Sequence, residues 1–162
     1  MNLTRSKDIL LLVGCIVVPF VIGGLGGWIT TGSLTDWYSG LQKPSWNPPS
    51  AVFGPVWSFL YLLMGIALWR IMRMGWGTEG VQPAVIWFAV QLVLNFGWSL
   101  IFFGLRAPGP ALIEILVLLA AVLITTRRFY VLEPAAGWLL VPYILWAAFA
   151  TVLNGTIWRL NS

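Results

Sequence analysis

The sequence predicts an all-α integral membrane protein: one domain, built as a bundle of five transmembrane helices. Three observations carry this. The chain is 59% hydrophobic and only 9% charged, where soluble domains average roughly half and a quarter. Its mean hydropathy is +0.89. Its apolar residues fall into five runs of about 20 residues, the length that crosses a bilayer as a helix. Lipid satisfies no backbone polar group, so only helices or a closed barrel can span it. The chain shows no series of alternating ten-residue segments of the barrel type.

A short polar leader with Arg5 and Lys7 precedes the first span, residues 9–28, which would rise about 30 Å. A cleaved signal peptide is the rival reading, with Gly24 and Gly26 imitating a small-residue cleavage site, but the apolar run is longer than a usual h-region. Gly23 and Gly27 have the GxxxG spacing that lets a neighbouring backbone approach, within the bundle or across a dimer seam. Residues 36–52 form a Trp- and Pro-rich lid. Pro44, Pro48 and Pro49 stiffen it. Asp36, Lys43 and Asn47 place it in water, and Trp37, Tyr38 and Trp46 give it an apolar face.

The second span, 53–74, tolerates Pro55 in its first turn and ends on Arg70 and Arg73. Gly75, Gly77 and Gly80 make the turn into the third span, 81–105, which Arg106 closes. Residues 108–110, Pro-Gly-Pro, read as a tight break before the fourth span, 111–130, which ends on Arg127 and Arg128. The fifth span, 134–158, opens at Pro134 and stops at Arg159, and Pro142 inside it should kink the helix or free a carbonyl.

Five spans put the termini on opposite sides. Arg5, Lys7, Arg70, Arg73, Arg127 and Arg128 gather at one side, and Lys43, Arg106 and Arg159 at the other. The positive-inside rule then puts the N-terminus in the cytoplasm and the lid outside. Cations dispersed at span ends explain the net charge of +4 without nucleic acid as a partner. Membrane lipid is the expected surrounding. With no histidine the commonest metal ligand and general base is missing, so neither a metal site nor an imidazole-based reaction is expected. Cys15 lies within an apolar run, where it reads as a small hydrophobe. Glu114 is the one carboxylate expected below the membrane surface. Its place near the start of the fourth helix favours dipole capping or contact with Arg106 over a coupled transport role.

The informative polar groups are uncharged. On the third span Trp87, Gln91, Asn95, Trp98 and Phe102 recur at helical spacing and share a face. Tyr143, Trp146, Ala150 and Asn154 repeat the pattern on the fifth, and Trp57, Tyr61 and Met64 on the second. By spacing alone such stripes are bundle packing. A stiff aromatic loop leading straight into one of them shifts the reading to a lidded cavity of aromatic rings with few polar groups, the composition of a pocket for flat apolar ligands.

The ordered motifs resemble the translocator protein family, also called tryptophan-rich sensory proteins or peripheral benzodiazepine receptors, in its bacterial type. The blocks are Trp37-Tyr38 with Lys43-Pro44-Ser45-Trp46 and Pro48-Pro49, then Gly54-Pro55-Val56-Trp57 with Leu60-Tyr61. Gln91-Leu92, Leu94-Asn95, Trp98 and Ile101-Phe102-Phe103-Gly104 follow. Last come Pro142-Tyr143, Trp146, Ala148-Phe149-Ala150-Thr151 and Leu153-Asn154. The resemblance covers about residues 35–158. It implies a five-helix bundle, often a homodimer, that binds protoporphyrin IX, haem precursors and other tetrapyrroles, and isoquinoline carboxamide or benzodiazepine drugs, between the helices beneath the first loop. It implies no resident cofactor.

Trp57, Asn95, Trp146, Ala150 and Leu153 would line the pocket by matching position, with Trp46 and Pro49 in its cover. The stripes add Tyr61, Gln91, Trp98 and Tyr143. The leading expectation is a tetrapyrrole receptor serving porphyrin handling and stress or light responses. Its alternatives are a light-dependent porphyrin-degrading photo-oxidase, with Trp57 and Trp146 as its reactive indoles, and a passive tetrapyrrole or lipid transporter. Leu153-Asn154 is followed by Gly155-Thr156-Ile157-Trp158-Arg159, so the tyrosine that completes the animal cholesterol motif is missing, which argues against cholesterol.

Overall fold

The computed structural model describes residues 4–162, so the first three residues of the leader lie outside the described residues. The protein is all-helical there, with five helical spans long and apolar enough to cross a membrane. Helix α1 spans Arg5–Ser33 and continues through a widened π turn, Leu34–Tyr38. Helix α2 spans Ser50–Met72, and α3 spans Val81–Ser99 with its own terminal π turn, Leu100–Gly104. Helix α4 spans Pro108–Leu132, and the last crossing is divided into α5, Pro134–Leu139, and α6, Val141–Leu160.

Three of these boundaries differ from the sequence expectation, and the last crossing breaks close to the expected proline. The first helix does not stop at Trp28. Thr30 and Thr31 return their hydroxyls to the carbonyls of Gly26 and Trp28, both at 2.9 Å, so this more polar stretch satisfies its hydroxyls without leaving the helix. Trp37 and Tyr38 therefore close α1, and the lid shortens to residues 41–49. Helix α2 begins at Ser50, three residues before Phe53. The Pro-Gly-Pro stretch at 108–110 is the first turn of α4 and not a break, because the first helical N–H groups have no partner to lose. The last crossing is interrupted at Leu140, two residues before Pro142, whose missing N–H and ring bulk prevent one continuous helix.

The helices close a ring in the order α1, α2, α5–α6, α4, α3. Ends are tied by polar contacts. At the N-terminal end of the bundle Asp8 accepts from Trp69 Nε1 at 3.0 Å and pairs with Arg73 at 3.1 Å, which joins the start of α1 to the end of α2. Arg70 pairs there with Glu133 at the α4–α5 junction. At the opposite end Lys43 donates to the carbonyls of Tyr38, Ser39 and Leu41 at 2.6–3.2 Å. The lysine thus caps α1, placing a cation where the helix dipole is negative.

The half of the bundle nearest the N-terminal end is solid. Met64, Ala67, Ile71, Phe88, Ile115, Leu118 and Phe129 fill it, with Phe88 and Phe129 stacked at 5.8 Å. Lipid is as apolar as these side chains, so close fit and dispersion hold them together more than solvent exclusion does. A smaller cluster of Tyr38, Phe102, Phe103, Ala111, Leu153 and Ile157 lies under the lid. The bundle is hollow between the two, where α2 packs on α5 but only marginally on α6.

Candidate functional site

The hollow is a cavity of about 490 Å³ lined from α1, α2, α3 and α6. No lining side chain is charged. The walls are aromatic, with hydroxyls from Thr30, Thr31, Ser50 and Ser58 at one side.

Six of the residues assigned to the pocket from the sequence line it, Trp57, Tyr61, Trp98, Trp146, Ala150 and Leu153, and so do Phe102 and Asn154 of the stripes. Trp57 stacks on Tyr61 with ring centroids 5.3 Å apart and meets Tyr143 edge-on at 6.1 Å. Those two tyrosines are held by one amide. The Tyr61 hydroxyl donates to Asn95 Oδ1 at 3.0 Å, and Asn95 Nδ2 donates to the Tyr143 hydroxyl at 3.1 Å. Asn95 and Tyr143 are thus behind the wall, 3% and 1% exposed, and position Trp57 from beneath. Trp98 donates its indole N–H to Asn154 at 3.0 Å, and Asn154 donates in turn to the Pro108 carbonyl at 2.7 Å. That chain fixes the Trp98 ring against α6 and leaves its face to the cavity.

Gln91 is fully buried two helical turns from Trp98, with neither side-chain polar atom hydrogen-bonded, and it does not reach the cavity. Trp46 and Pro49 are not wall residues either. Pro49 precedes the first turn of α2, and Trp46 rests edge-on against Phe149 at 5.9 Å. Phe149 in turn contacts Trp146 at 5.4 Å, and Trp146 meets Phe53 at 5.9 Å. This row of rings runs from the lid across α6 to α2 and closes the gap that the backbones leave. Glu114 contacts neither the cavity nor Arg106: both its oxygens are buried without a partner, beside Gly97. The expected Arg106 contact is therefore absent; Arg106 lies in the α3–α4 connection at a positive φ of 55°.

The sequence reading missed α1 as a wall. Its Gly-rich run serves two purposes. A methyl at Gly23 would fall 2.0 Å from the Tyr61 ring, so Gly23 admits that ring, whereas Gly24 and Gly27 face open space and line the cavity. Gly24, Gly27 and Thr31 on α1, and Ala51, Gly54 and Ser58 on α2, both line the cavity and are exposed on the outside of the bundle. Small side chains on two facing helices thus leave a side opening toward lipid. The wall also gains Phe103, which the π turn at the end of α3 brings beside the stripe residue Phe102, the two being 7% and 2% exposed. Ser33 donates to the Phe103 carbonyl at 2.7 Å, compensating the altered hydrogen bonding of that turn.

The lid is pinned at both ends. Asn161, just past α6, accepts from the Gln42 N–H and donates to the Gln42 carbonyl, both at 2.9 Å. Tyr38 donates its hydroxyl to Asn47 at 3.0 Å. Replacing Asn161 with Ala is expected to speed binding and release of any cavity ligand about fivefold each while changing affinity less than about twofold, since each lost hydrogen bond is worth ~1 kcal/mol. Stopped-flow tryptophan fluorescence measures both rates; an affinity loss without faster exchange would show that the lid does not gate the cavity.

A helical bundle with a lidded, uncharged aromatic cavity in its membrane-spanning half is the class that fold and site define. Residues 15–159 match the model of the TspO/MBR family. The chain belongs to the TspO/MBR family. It is 41% identical to the tryptophan-rich protein TspO of Chlorobaculum tepidum over 96% of this chain and 99% of that protein. It is 40% identical to the translocator protein of Homo sapiens over 92% and 89%, and 39% identical to the tryptophan-rich sensory protein of Cereibacter sphaeroides over 86% and 88%.

Proposed function

We propose that this protein is a membrane receptor for tetrapyrroles, such as protoporphyrin IX and haem precursors, that takes part in porphyrin handling and in stress or light responses. The observation that carries the reading is the cavity of about 490 Å³ with an uncharged, tryptophan-rich wall. A cavity of this size falls in the range of small-molecule sites. Flat conjugated rings bind such walls by burial and by offset or edge contacts with indole and phenol rings. The ligand's carboxylates would remain at the mouth, near the hydroxyls of Thr31 and Ser50. Membership of a family whose members are named tryptophan-rich sensory proteins and translocator proteins is compatible with this reading. The excess of Arg and Lys at the α1 N-terminal end supports a cytoplasmic N-terminus, with the lid on the other side.

Titration of the purified protein with protoporphyrin IX is expected to quench tryptophan fluorescence saturably. Trp57→Phe combined with Trp146→Phe should weaken binding about tenfold, because aromatic contacts contribute ~0.5–1.5 kcal/mol each beyond area burial. Absence of saturable quenching, or unchanged affinity in the double variant, sinks the assignment. Because both indoles border one cavity, light-dependent porphyrin breakdown is the second reading. Aerobic illumination of the complex separates the two: a receptor leaves porphyrin absorbance decaying no faster in the parent protein than in the double variant.

A further inference from the structure

A second cleft, of about 380 Å³, lies at the end of the bundle away from the lid, between the turn into α3 and the last turns of α4. Gly80, Ile124, Arg127, Arg128, Val131 and Leu132 line it. On α4 the positions 124, 127, 128 and 131 share one helix face, so two guanidinium groups stand between apolar side chains. Both arginines are exposed, and neither has an ion-pair partner among the described residues. Arg70 and Arg73 at the same end are instead paired, with Glu133 and Asp8.

The surroundings set the depth and the chemistry. Tyr130 and Trp138 are 48% and 65% exposed and meet edge-on with centroids 6.3 Å apart. Exposed aromatics of this kind collect at headgroup level. Val131, 75% exposed, offers an apolar surface beside the arginines. Gly80, at a left-handed φ of 86°, starts α3 at the same wall, where the helix dipole is positive. Glu79 is the opposing charge: it is exposed, adjacent to Gly80, and forms no ion pair with either arginine.

We infer that this cleft holds the phosphate headgroup of an anionic phospholipid from the leaflet at the α1 N-terminal end. The two guanidinium forks match the paired oxygens of a phosphate. Ile124, Val131 and Leu132 supply the surface along which the acyl chains leave. A water-soluble anion would use the arginines but has no use for this apolar rim, so the lipid is the occupant that accounts for the whole lining. The inference is independent of the tetrapyrrole reading.

The test uses the full chain, delipidated in neutral detergent and titrated with phosphatidylglycerol or phosphatidylcholine, with bound lipid counted by native mass spectrometry. One phosphatidylglycerol is expected to bind in preference to phosphatidylcholine. Arg127→Gln with Arg128→Gln should weaken it on the order of thirtyfold, two cations being lost from the headgroup. Arg127→Lys with Arg128→Lys should fall between the parent and the Gln pair, since an ammonium keeps the charge but loses the fork, and Glu79→Gln should strengthen binding. Arg5→Gln with Lys7→Gln, at the same end but outside the cleft, should leave it unchanged. An unaltered thermal unfolding midpoint in the Gln double variant serves as the check that the bundle is intact. Equal loss in the Arg5/Lys7 variant would overturn the site in favour of diffuse surface charge. Displacement of the lipid by millimolar inorganic phosphate would overturn the lipid as occupant.

Discussion

Gly65→Val is expected to destabilise the folded bundle by about 3 kcal/mol, the upper part of the range for overpacking, because a Cβ at this position would lie 2.6 Å from Ile16 Cα and 3.0 Å from the Cys15 carbonyl. The obstruction is α1 backbone, which cannot move aside as a side-chain tip can. The two helices must separate along a crossing whose closeness depends on Gly65. The same crossing sets how α1 faces α2 further along, where Gly24 and Gly27 oppose Gly54 and Ser58 across the side opening. Thermal unfolding in detergent should therefore show a lowered midpoint, and the variant should lose saturable porphyrin quenching even where it stays folded. Gly54→Ala, at a position with open space around a new methyl, is the control and should leave the midpoint in place. A Gly65→Val protein with the parental midpoint would mean that α1 is not held against α2 as described.

Asn95→Leu should cost about 2 kcal/mol of stability. The leucine is close in volume, so no large cavity opens. What is lost is the amide that joins Tyr61 to Tyr143, leaving two buried hydroxyls unpaired, and hydrogen bonds between membrane helices average roughly 0.6 kcal/mol and reach about 1.7. Unpaired buried groups add their own desolvation penalty. Trp57 rests on both tyrosine rings, so ligand affinity is expected to fall as well, although Asn95 is not part of the wall. Asn95→Gln does not rescue, because the longer amide cannot reach both hydroxyls in the same geometry. The measurement is the unfolding midpoint together with the protoporphyrin titration. Reduced stability with fully retained affinity would show that the tyrosine platform does not position Trp57.

Much of this architecture was legible in the linear chain. Lipid leaves the backbone no choice but helix, so length and apolarity specify the spans, and proline and arginine specify where most of them end. Pro142 foretold the interruption of the last crossing. Helix α1 was misjudged because its later turns carry threonines and glycines; hydropathy reads them as a loop, whereas their hydroxyls are satisfied by carbonyls of the same helix. Lys43 was read as solvent-facing, yet it caps α1 through three carbonyls, a role visible only once the helix is known to reach Tyr38.

For the site, periodicity found the faces but not the depth. The stripe on α3 holds Trp87, Gln91, Asn95, Trp98 and Phe102 at helical spacing, and only Trp98 and Phe102, at its lid end, reach the cavity. Residues a turn apart on one face sit at different heights in the bundle, and the cavity occupies only one height. Gly24 and Gly27 line the wall by having no side chain, so no chemical signal in the sequence marks them as a site. The sequence by itself determined the helical membrane class, the five crossings, the family and the aromatic faces, because these follow from solvent quality and local spacing. Only the tertiary structure decided which rings border the hollow, that α1 supplies a wall, and that Asn95 works from behind. Those outcomes depend on how closely particular backbones approach one another, and close approach is a property of the assembled helices.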